Sequence, residues 1–511
     1  MNDTNPSASA HRTGLGRIYE LVRNPISVVG LALAVVALGN IVFLFFIDVT
    51  SKHPSPYVDI LAYMVAPAFL VIGLALVVFG ALYYRRRRRE AAGLTSHYMR
   101  FDFADPAQRG AISFFLAFIV VFIGLSVVGS YRAYNFTDSV SFCGQLCHSV
   151  MNPEFTAYQQ SPHARVACVD CHVGAGATWY VKSKLSGARQ VFKTALNTFP
   201  RPIPTPVRNL RPASETCEAC HWPKKFFGAQ LKVFNHYASD EKNTPLQIRL
   251  LIKTGGGDPS SGEPEGIHWH VDPANEVTYV ATDEQRQSIA YVRVKNAQGG
   301  VTEYYAKGSP LTKDQIAKLS KRRMDCVDCH NRPTHIYTSP EVSLDSSFTA
   351  HRLDISMPFL KQQAVAALTG KYDTTSAAMQ GIANTIGDFY ATKYPGLVQT
   401  KQPEIHGAID EVQRIYKLTF FPEMKLDWRT HPNNIGHFYF NGCFRCHDGD
   451  HVSADGQVIR KDCNLCHTVV EEQEKAVNVA ALPGVEFKHP VDLGDMTAVN
   501  CSDCHTGGVS P

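Results

Sequence analysis

The N-terminal quarter of the chain contains three long apolar runs. They extend from Ile26 to Ile47, from Ile60 to Tyr84 and from Ala111 to Tyr131, and each is 21 to 25 residues long. About 20 predominantly apolar residues form a helix that crosses the hydrocarbon core of a bilayer, whereas buried helices of soluble proteins are usually shorter and carry a polar face. The pattern therefore predicts a short N-terminal segment, residues 1–24, followed by three transmembrane helices within residues 25–131.

Basic residues near these runs predict their orientation. Arg12, Arg17 and Arg23 precede the first run, and the unbroken series Arg85–Arg89 follows the second. Arginine is concentrated on the cytoplasmic side of membrane proteins, so both groups are expected there, with the N-terminus. The arginine series also suits contact with anionic lipid. The third helix then runs outward, and everything after Tyr131 is predicted to lie outside the cytoplasm, which in bacteria is the periplasmic side of the inner membrane.

Periodicity changes several times in the exported part. Residues 177–199 have apolar positions on one helical face and basic positions elsewhere, and the proline-rich strip "FPRPIPTPVRNLRP" that follows is predicted to be extended. Between about residues 240 and 308, β-branched and aromatic residues alternate with polar ones, which predicts a small antiparallel β insert. Further helices are predicted over Pro358–Leu368, Thr375–Thr392 and Pro403–Leu418.

The cysteines give the most specific signal in the sequence. Twelve of the fourteen fall in C-x-x-C-H motifs: Cys168, Cys171 and His172; Cys217, Cys220 and His221; Cys326, Cys329 and His330; Cys443, Cys446 and His447; Cys463, Cys466 and His467; Cys501, Cys504 and His505. This spacing suits a c-type haem, because two thiols attach the porphyrin while the adjacent histidine coordinates its iron.

The remaining two cysteines form an irregular motif, "SFCGQLCHSVM", directly after the third apolar run. Cys143 and Cys147 are separated by one residue more than in the other motifs, and His148 follows the second cysteine. Disulfides and zinc sites also use paired cysteines, but neither requires a histidine after every pair. With 21 histidines in 511 residues, that neighbour arises by chance about one time in 24. We therefore predict seven covalent haems with seven proximal histidines.

The predicted fold class is a multihaem cytochrome c, mainly α-helix and loop, with little regular core because closely spaced porphyrins supply much of the buried apolar surface. After the transmembrane part, residues 132–345 are expected to form a tetrahaem domain that contains the β insert. Residues 346–511 are expected to form a helical and trihaem domain. The net charge of +4 gives no indication of nucleic-acid binding, and the oligomeric state stays open.

Candidate distal ligands come from the remaining histidines. The exported part contains eighteen histidines, which leaves eleven for at most seven distal positions. The best candidates by position are His163, His236, His335, His437, His451 and His489; His351, His406 and His431 are weaker. His268 and His270 in "GIHWHVD" are equally compatible with ligation and with two outward polar positions on one strand face. A second imidazole favours electron transfer, whereas an open iron face favours substrate chemistry.

The order of these features resembles a known family. The features that carry the resemblance are, in order, an outward helix, an immediate haem motif, "SPH" before "CVDCHV", a basic helix, a proline-rich segment, a third motif and then "CVDCHNRPTH". With these features the chain is similar to the NapC/NirT family of membrane-anchored multihaem quinol dehydrogenases. The resemblance covers about residues 112–335 without the β insert. Three membrane helices and seven haem motifs resemble most closely the ImcH type, the inner-membrane heptahaem cytochromes of metal-reducing bacteria.

This resemblance implies that the protein oxidises menaquinol at the outer face of the membrane. The first haem would accept electrons, and the others would pass them to periplasmic cytochromes c or a periplasmic reductase. Met151, three residues after His148, would be the second ligand of the first haem. Lys184 matches the family's quinol-site lysine, although a solvated lysine on a basic helix is an equal alternative. Gln190 stands where the family has an acid, which leaves the proton acceptor open.

Two other functions fit the same motifs. A terminal reductase for nitrite or hydroxylamine needs one haem with an open face, and the surplus of histidines argues against it. A membrane anchor subunit would take electrons from a periplasmic oxidoreductase, and the sequence does not give the direction of electron flow.

Deletion of Leu146 tests the irregular motif. The deletion restores regular spacing while Cys147 and His148 stay adjacent, so we expect the haem to be retained and the rate of quinol oxidation to change. Haem staining and quinol-driven haem reduction measure the two effects. An unchanged rate would leave the extra residue without a functional role.

Overall fold

The structure is a computed structural model. It describes residues 24–50, 65–91, scattered positions between 106 and 133, 134–146, 148–173, 177–207, 210–223, 226–256, 266–472, 475–476, 489, 494 and 499–507. The chain divides into two compact units, residues 1–148 and 149–511.

Helices dominate the described residues. In chain order they are α1 (Pro25–Thr50), α2 (Ala66–Ala91), α3 (His148–Gln159), α4 (Cys168–His172), α5 (Ala177–Ala195), α6 (Ala213–Thr216), α7 (Lys313–Lys318), α8 (Cys326–Cys329), α9 (Pro340–Thr349), α10 (Leu360–Leu368), α11 (Thr375–Lys393), α12 (Pro395–Thr400), α13 (Gln402–Thr419) and α14 (Cys501–Cys504). Tighter 3₁₀ turns cover Cys217–Ala219, Ile267–Val271, Pro422–Met424, Gly442–Arg445 and Cys463–Leu465, and Phe142–Leu146 forms a wider π turn.

The first two apolar runs form the long helices α1 and α2. Their spans Pro25–Leu44 and Ala66–Tyr84 have mean hydropathies of 2.5 and 2.3, and both are long enough to cross a membrane. Two such helices are found among the described residues where the sequence predicts three. Most of the third run, Ala111–Tyr131, lies outside the described residues.

Small residues allow α1 and α2 to pack closely. A Cβ atom at Gly30 would lie 2.7 Å from the carbonyl oxygen of Gly73, and one at Gly73 would lie 2.8 Å from the carbonyl oxygen of Gly30. The hydroxyl of Ser27 donates a hydrogen bond to the carbonyl oxygen of Val77 at 3.0 Å. Close backbone contact and a polar cross-link are the usual means of helix association in lipid.

Among the described residues of the second unit, nine strands form two antiparallel sheets. They are β1 (Gln230–Tyr237), β2 (Pro245–Ile252), β3 (Glu276–Ala281), β4 (Ile289–Lys295), β5 (Val301–Ala306), β6 (Arg322–Arg323), β7 (His451–Ser453), β8 (His467–Glu472) and β9 (Lys475–Ala476). The first sheet has the order β1-β2-β8-β9 and the second has the order β6-β3-β4-β5-β7.

The sequence predicted one small sheet between about residues 240 and 308, and the structure differs in two ways. Strand β1 begins earlier and pairs with β2, with Gln230 opposite Ile252. Both sheets also include strands from the C-terminal part: β7 pairs with β5, and β8 pairs with β2. Short strands such as β7 have too few residues for alternation to predict them, because their pairing depends on distant segments.

Helices α9 to α13 form a conventional hydrophobic core, which the prediction of little regular core did not anticipate. Leu344, Leu360, Ile382 and Val412 are completely buried within it. The segment between His330 and Cys443 contains no haem motif, so its helices must cover one another's apolar faces. Ordinary helix packing therefore stabilises this part of the unit.

A buried ion pair connects this helical core with the first sheet. Nζ of Lys361 on α10 lies 2.6 Å from Oδ1 of Asp345 on α9, and both side chains are almost fully buried. Lys361 also donates a hydrogen bond to the carbonyl oxygen of Tyr237 on β1. Removal of one partner from such a pair leaves an uncompensated buried charge, so this network fixes β1 against the helices.

Glu411 on α13 provides a test based on pH. Burial opposes its ionisation, but hydrogen bonds from Arg414, Ser347 and Arg352 prevail and lower the pKa of Glu411 from 4.5 to about 2. Its side chain is only 8% exposed. A carboxylate whose folded pKa is depressed stabilises the protein above its unfolded pKa and loses this contribution as the pH falls through its folded pKa.

We expect Glu411→Gln to remove about 3 kcal/mol of folding free energy at neutral pH, which is the order of energy that corresponds to a carboxylate pKa lowered from 4.5 to about 2. The difference from wild type should shrink as the pH falls from about 4.5 to about 2. Denaturant unfolding across this range measures it, with the exposed Asp410→Asn variant on the same helix as control. A difference that does not vary with pH would contradict the assignment.

Candidate functional site

Short helical turns shape the described cysteine motifs. The backbone N–H of His221, His330 and His505 each donates to the carbonyl oxygen of the first cysteine of its motif at 2.8 Å. Positions i and i+4 of a helix lie on the same face. The first cysteine and the histidine of each motif therefore lie on the same side of the turn, and this is the arrangement that attachment and ligation of a single haem require.

The third motif residue determines the type of turn. The motifs with aspartate at this position form the α-helical turns α4, α8 and α14, whereas the other three regular motifs form 3₁₀ turns. In the α-helical motifs the aspartate accepts a hydrogen bond from the N-cap N–H, as Asp328 does from Asp325 at 2.8 Å. This is the acidic half of a capping box, so the recurring "VDC" and "SDC" sequences have a local structural cause.

Each of the six regular motif histidines faces a second histidine. The ring centroids are 6.3 Å apart for His172 and His335, 6.1 Å for His221 and His163, 6.4 Å for His330 and His268, 5.8 Å for His447 and His270, 6.1 Å for His467 and His437, and 6.0 Å for His505 and His489.

These separations match the space that one metal ion needs between two imidazoles. A metal–nitrogen bond is about 2 Å long, and each ring nitrogen lies about 1 Å from its ring centre, so the centroids should be about 6 Å apart. Direct stacking would bring the rings closer together, and a hydrogen bond between them would need an edge-on contact. The donor sets therefore fit haem iron with two axial histidines.

Four of the six facing histidines were candidates by sequence position. His163 and His335 come from the segments beside motifs, yet each faces a motif elsewhere in the chain: His163 faces His221, and His335 faces His172. His437 and His489 face His467 and His505. The pairs therefore join segments that are separate in the sequence.

His236 and His451 were also candidates, but neither one faces any of the six motif histidines whose side chains the structure describes. Nδ1 of His236 on β1 lies 3.2 Å from Oδ2 of Asp345. Both ring nitrogens of His451 have protein partners: Nδ1 lies 3.0 Å from Oδ1 of Asp448, and Nε2 lies 3.0 Å from the carbonyl oxygen of Ile289. The buried His451 has no nitrogen left for a metal.

His268 and His270 were left undecided by the sequence, and they lie on the 3₁₀ turn Ile267–Val271 instead of a strand. His268 faces His330, and His270 faces His447. The sequence feature that could have indicated this turn is the glycine-rich segment "KTGGG". A side chain at Gly256 would not fit there, because its Cβ atom would lie 2.2 Å from the backbone nitrogen of Trp269. The glycine at this position therefore allows the backbone after β2 to lie directly against the turn that carries His268 and His270.

Burial keeps these imidazoles in the form that binds metals. Burial lowers the pKa of His172, His330 and His467 below 6.5. Burial, assisted by the charge of Arg332, lowers the pKa of His335 to about 4. Ligation requires a neutral imidazole, so these side chains need not lose a proton at neutral pH before they bind iron.

The motif thiols follow one another in space in their sequence order. Cys171 lies beside Cys217, and Cys217 lies beside Cys326. Cys329 interacts with Cys443, which in turn interacts with Cys466. Cys501 interacts with Cys463. The six regular motifs therefore form a continuous series without a break between neighbours.

A polar network holds the motifs at Cys326 and Cys443 together. The buried carboxylate of Asp328 accepts hydrogen bonds from Tyr279 at 2.7 Å, Arg322 at 2.8 Å and Arg286 at 2.9 Å. From the neighbouring motif, Arg445 donates to the carbonyl oxygen of Asp328 at 2.8 Å. Arginine is suited to such sites because its planar group donates several hydrogen bonds and stays charged.

The irregular motif is described only in part. Cys143 lies in the π turn Phe142–Leu146, whereas Cys147 and the side chain of His148 lie outside the described residues. Met151 is half-buried on α3. The side chain of Lys184 is not described, and the exposed Gln190 donates to the hydroxyl of Ser186 at 3.2 Å. Residues six apart on a helix lie about 120° apart around its axis, so α5 does not present Lys184 and Gln190 on one face.

Comparisons with known proteins agree with this arrangement. Residues 106–202 match the family model of the N-terminal region of NapC/NirT cytochromes c, and residues 437–509 match that of cytochrome c3. The chain is 46% identical over 484 residues to the cytochrome c-type protein ImcH of Geobacter sulfurreducens, covering 94% of this chain and 95% of that protein. It is 29% identical over 111 residues to the cytochrome c-type protein NrfH of Wolinella succinogenes, covering 21% of this chain and 62% of that protein. No solved structure matches the chain.

The protein is therefore a membrane-anchored cytochrome c that transfers electrons through covalently bound haem. It belongs to the NapC/NirT cytochrome c family, in the group that includes ImcH.

Arg445 provides a test of the network between the motifs. Its positive charge interacts with Cys329, Cys443 and Cys446, and a nearby positive charge favours the reduced state of a haem. A unit charge about 10 Å away at an effective dielectric constant of about 20 contributes roughly 1.7 kcal/mol, or about 70 mV for a one-electron couple. We expect Arg445→Gln to lower the midpoint potential of part of the haem set by about this amount in a spectroelectrochemical titration.

Arg460→Gln is the matched control, because Arg460 is 69% exposed and pairs with Asp462 on the surface. We expect no shift in that variant. Equal titration curves for wild type and Arg445→Gln would show that the charge of Arg445 does not influence any haem.

Proposed function

We propose that this protein is an inner-membrane heptahaem cytochrome c that oxidises menaquinol and passes the electrons to periplasmic acceptors. Bound haem supplies one-electron transfer at each motif. The observation that carries the proposal is the continuous series of six motifs, each with facing histidines about 6 Å apart. Saturated iron sites in an unbroken order favour electron passage over substrate chemistry.

The chain's own residues have separate roles in this proposal. Each cysteine pair holds one porphyrin, and the following histidine binds its iron, including Cys143, Cys147 and His148 at the first motif. His163, His335, His437 and His489 bind the second faces at His221, His172, His467 and His505. Met151 on α3 is proposed for the second face of the first haem by resemblance to the NapC/NirT family, which often has a methionine close after this motif.

The quinol site is proposed on α5. Lys184 would donate a hydrogen bond to a quinol oxygen, by resemblance to the NapC/NirT family. A quinol loses protons together with its electrons, so a base is also needed, and Gln190 is not one. Because Gln190 lies about 120° from Lys184 around α5, it is not proposed to contact the same quinol, and the protons are proposed to leave to water at the exposed surface of α5.

The orientation of the membrane part completes the proposal. We propose three spans, with Ala111–Tyr131 as the third, and a cytoplasmic N-terminus. The series Arg85–Arg89 continues helix α2, and Arg86 and Arg87 are exposed. These arginines are suited to contact anionic lipid at the cytoplasmic surface.

The two other functions are less well supported. A nitrite or hydroxylamine reductase needs an open iron face, and every regular motif histidine faces a second histidine. An anchor subunit that receives electrons from a periplasmic oxidoreductase uses the same haem series in the opposite direction, so kinetics must distinguish it.

Reduction by quinol tests the direction of electron flow. We expect a menaquinol analogue to reduce the haems of the purified protein, and an inhibitor of the quinol site to block this reduction. The change in haem absorbance measures the rate. Reduction by a soluble periplasmic donor, together with failure of quinol to reduce the protein, would support the anchor function instead.

Lys184→Ala tests the quinol site itself. We expect loss of the hydrogen bond to slow quinol-driven haem reduction by about tenfold, since a hydrogen bond to a charged group is worth about 1.5–3 kcal/mol. Reduction by dithionite should be unchanged. Lys182→Ala on the same helix is the matched control, because Lys182 is exposed on α5. Equal slowing in both variants would indicate a general charge effect and not a site at Lys184.

A further inference from the structure

The turn Ile267–Val271 carries two histidines that point to different motifs. Residues two apart on a 3₁₀ turn are about 120° apart around its axis, so the imidazoles of His268 and His270 diverge. The ring centroid of His268 lies 6.4 Å from that of His330, and the centroid of His270 lies 5.8 Å from that of His447. One turn of the β insert thus reaches two consecutive haem motifs.

Backbone carbonyl groups orient both imidazoles. Nδ1 of His268 lies 2.7 Å from the carbonyl oxygen of Thr254, and Nδ1 of His270 lies 2.9 Å from that of Ile267. A histidine that binds a metal through Nε2 usually donates its Nδ1–H to such a group, which fixes both the tautomer and the ring direction. The two Nε2 atoms are therefore available to face the motifs.

The backbone around the turn is shaped for this position. Gly266 precedes it with a φ of +139°, and a Cβ atom there would lie 2.7 Å from the carbonyl oxygen of Lys253. Side chains are rarely compatible with such a backbone angle. The turn is thus held against the end of β2, and its two histidines cannot move independently.

The two motifs reached by the turn are themselves in contact. Nη2 of Arg445 donates to the carbonyl oxygen of Asp328 at 2.8 Å, and Nδ2 of Asn434 donates to the same oxygen at 3.0 Å. Asp328 lies inside the motif of His330, and Arg445 lies inside the motif of His447. These hydrogen bonds fix the distance between the two motifs, and the turn that carries His268 and His270 spans the same two motifs.

We propose that His268 and His270 are the second axial ligands of the two haems attached at Cys326–Cys329 and Cys443–Cys446. The β insert then acts as a strap, because its turn Ile267–Val271 supplies one ligand to the fourth haem and one to the fifth. The fifth haem is the first of those attached within the region that matches cytochrome c3. The inference rests on the haem sites of the proposed function and does not depend on quinol oxidation.

The strap has a spectroscopic consequence. The rings of His268 and His330 are almost parallel, with an angle of 6° between their planes, whereas those of His270 and His447 are almost perpendicular, at 86°. Parallel axial imidazoles give a rhombic low-spin ferric signal in electron paramagnetic resonance, and perpendicular ones give a strongly anisotropic signal. The two neighbouring haems should therefore be distinguishable in the oxidised protein.

The test uses His268→Ala and His270→Ala in the full-length protein. We expect each variant to keep all its covalent haem, measured as the pyridine haemochrome, and to convert one low-spin haem to high spin. His268→Ala should lose a rhombic signal, His270→Ala should lose a strongly anisotropic signal, and the double variant should lose both. Added imidazole should restore the low-spin state. His351→Ala is the matched control, because His351 is exposed and faces no motif histidine.

Retention of every low-spin signal in both variants would overturn the proposal. If an alanine variant does not assemble, His268→Met and His270→Met supply the second test, because a thioether ligand raises the potential of the haem that it binds. We expect one upward shift in each methionine variant, and unchanged potentials would also overturn the proposal. Failure of quinol to reduce the wild-type protein would refute the proposed quinol oxidation and leave these results unaffected.

Discussion

Facing imidazoles organise the second unit. Each pair joins a motif to a segment that local folding alone would not bring near it, as His172 with His335 and His270 with His447 show. A metal held between two such rings is a directional bond, whereas hydrophobic contact has no preferred direction. The positions of the loops between motifs therefore depend on the ligand pairs far more than on the apolar content of those loops.

The helices between His330 and Cys443 are organised differently. Their core is formed by ordinary apolar side chains such as Leu360 and Ile382, and the buried pair of Asp345 and Lys361 connects it to β1. This part needs no porphyrin to cover its apolar surface. The unit thus combines a helical body with a haem-bearing part in which cofactors replace much of the core.

The sequence predicted the attachment sites because their chemistry requires fixed local spacing, as in Cys326, Cys329 and His330. It also offered His163, His335, His437 and His489 as candidates because they lie close to motifs in the chain, and the structure places each opposite a motif histidine. The sequence could not predict which histidine faces which motif. Whether His268 or His451 does so depends on which turn or strand lies next to the motif in the folded chain. Alternation did identify β3, β4 and β5, but β7 and β8 form only where distant partners meet them. The prediction of little regular core holds only where haem motifs are dense, as in the last 70 residues. It does not apply to the segment between His330 and Cys443, which has no motif and forms a helical core.

The pair of His172 and His335 also has a consequence for how the protein is made. In the proposed topology, a chain exported from its N-terminal end would present His172 to the haem-attachment machinery well before His335 had crossed the membrane. A porphyrin at Cys168 and Cys171 would then pass through an interval in which one face of its iron is open to water and small ligands. Maturation of this site would finish only after two further motifs had emerged, which would make the order of translocation part of its assembly.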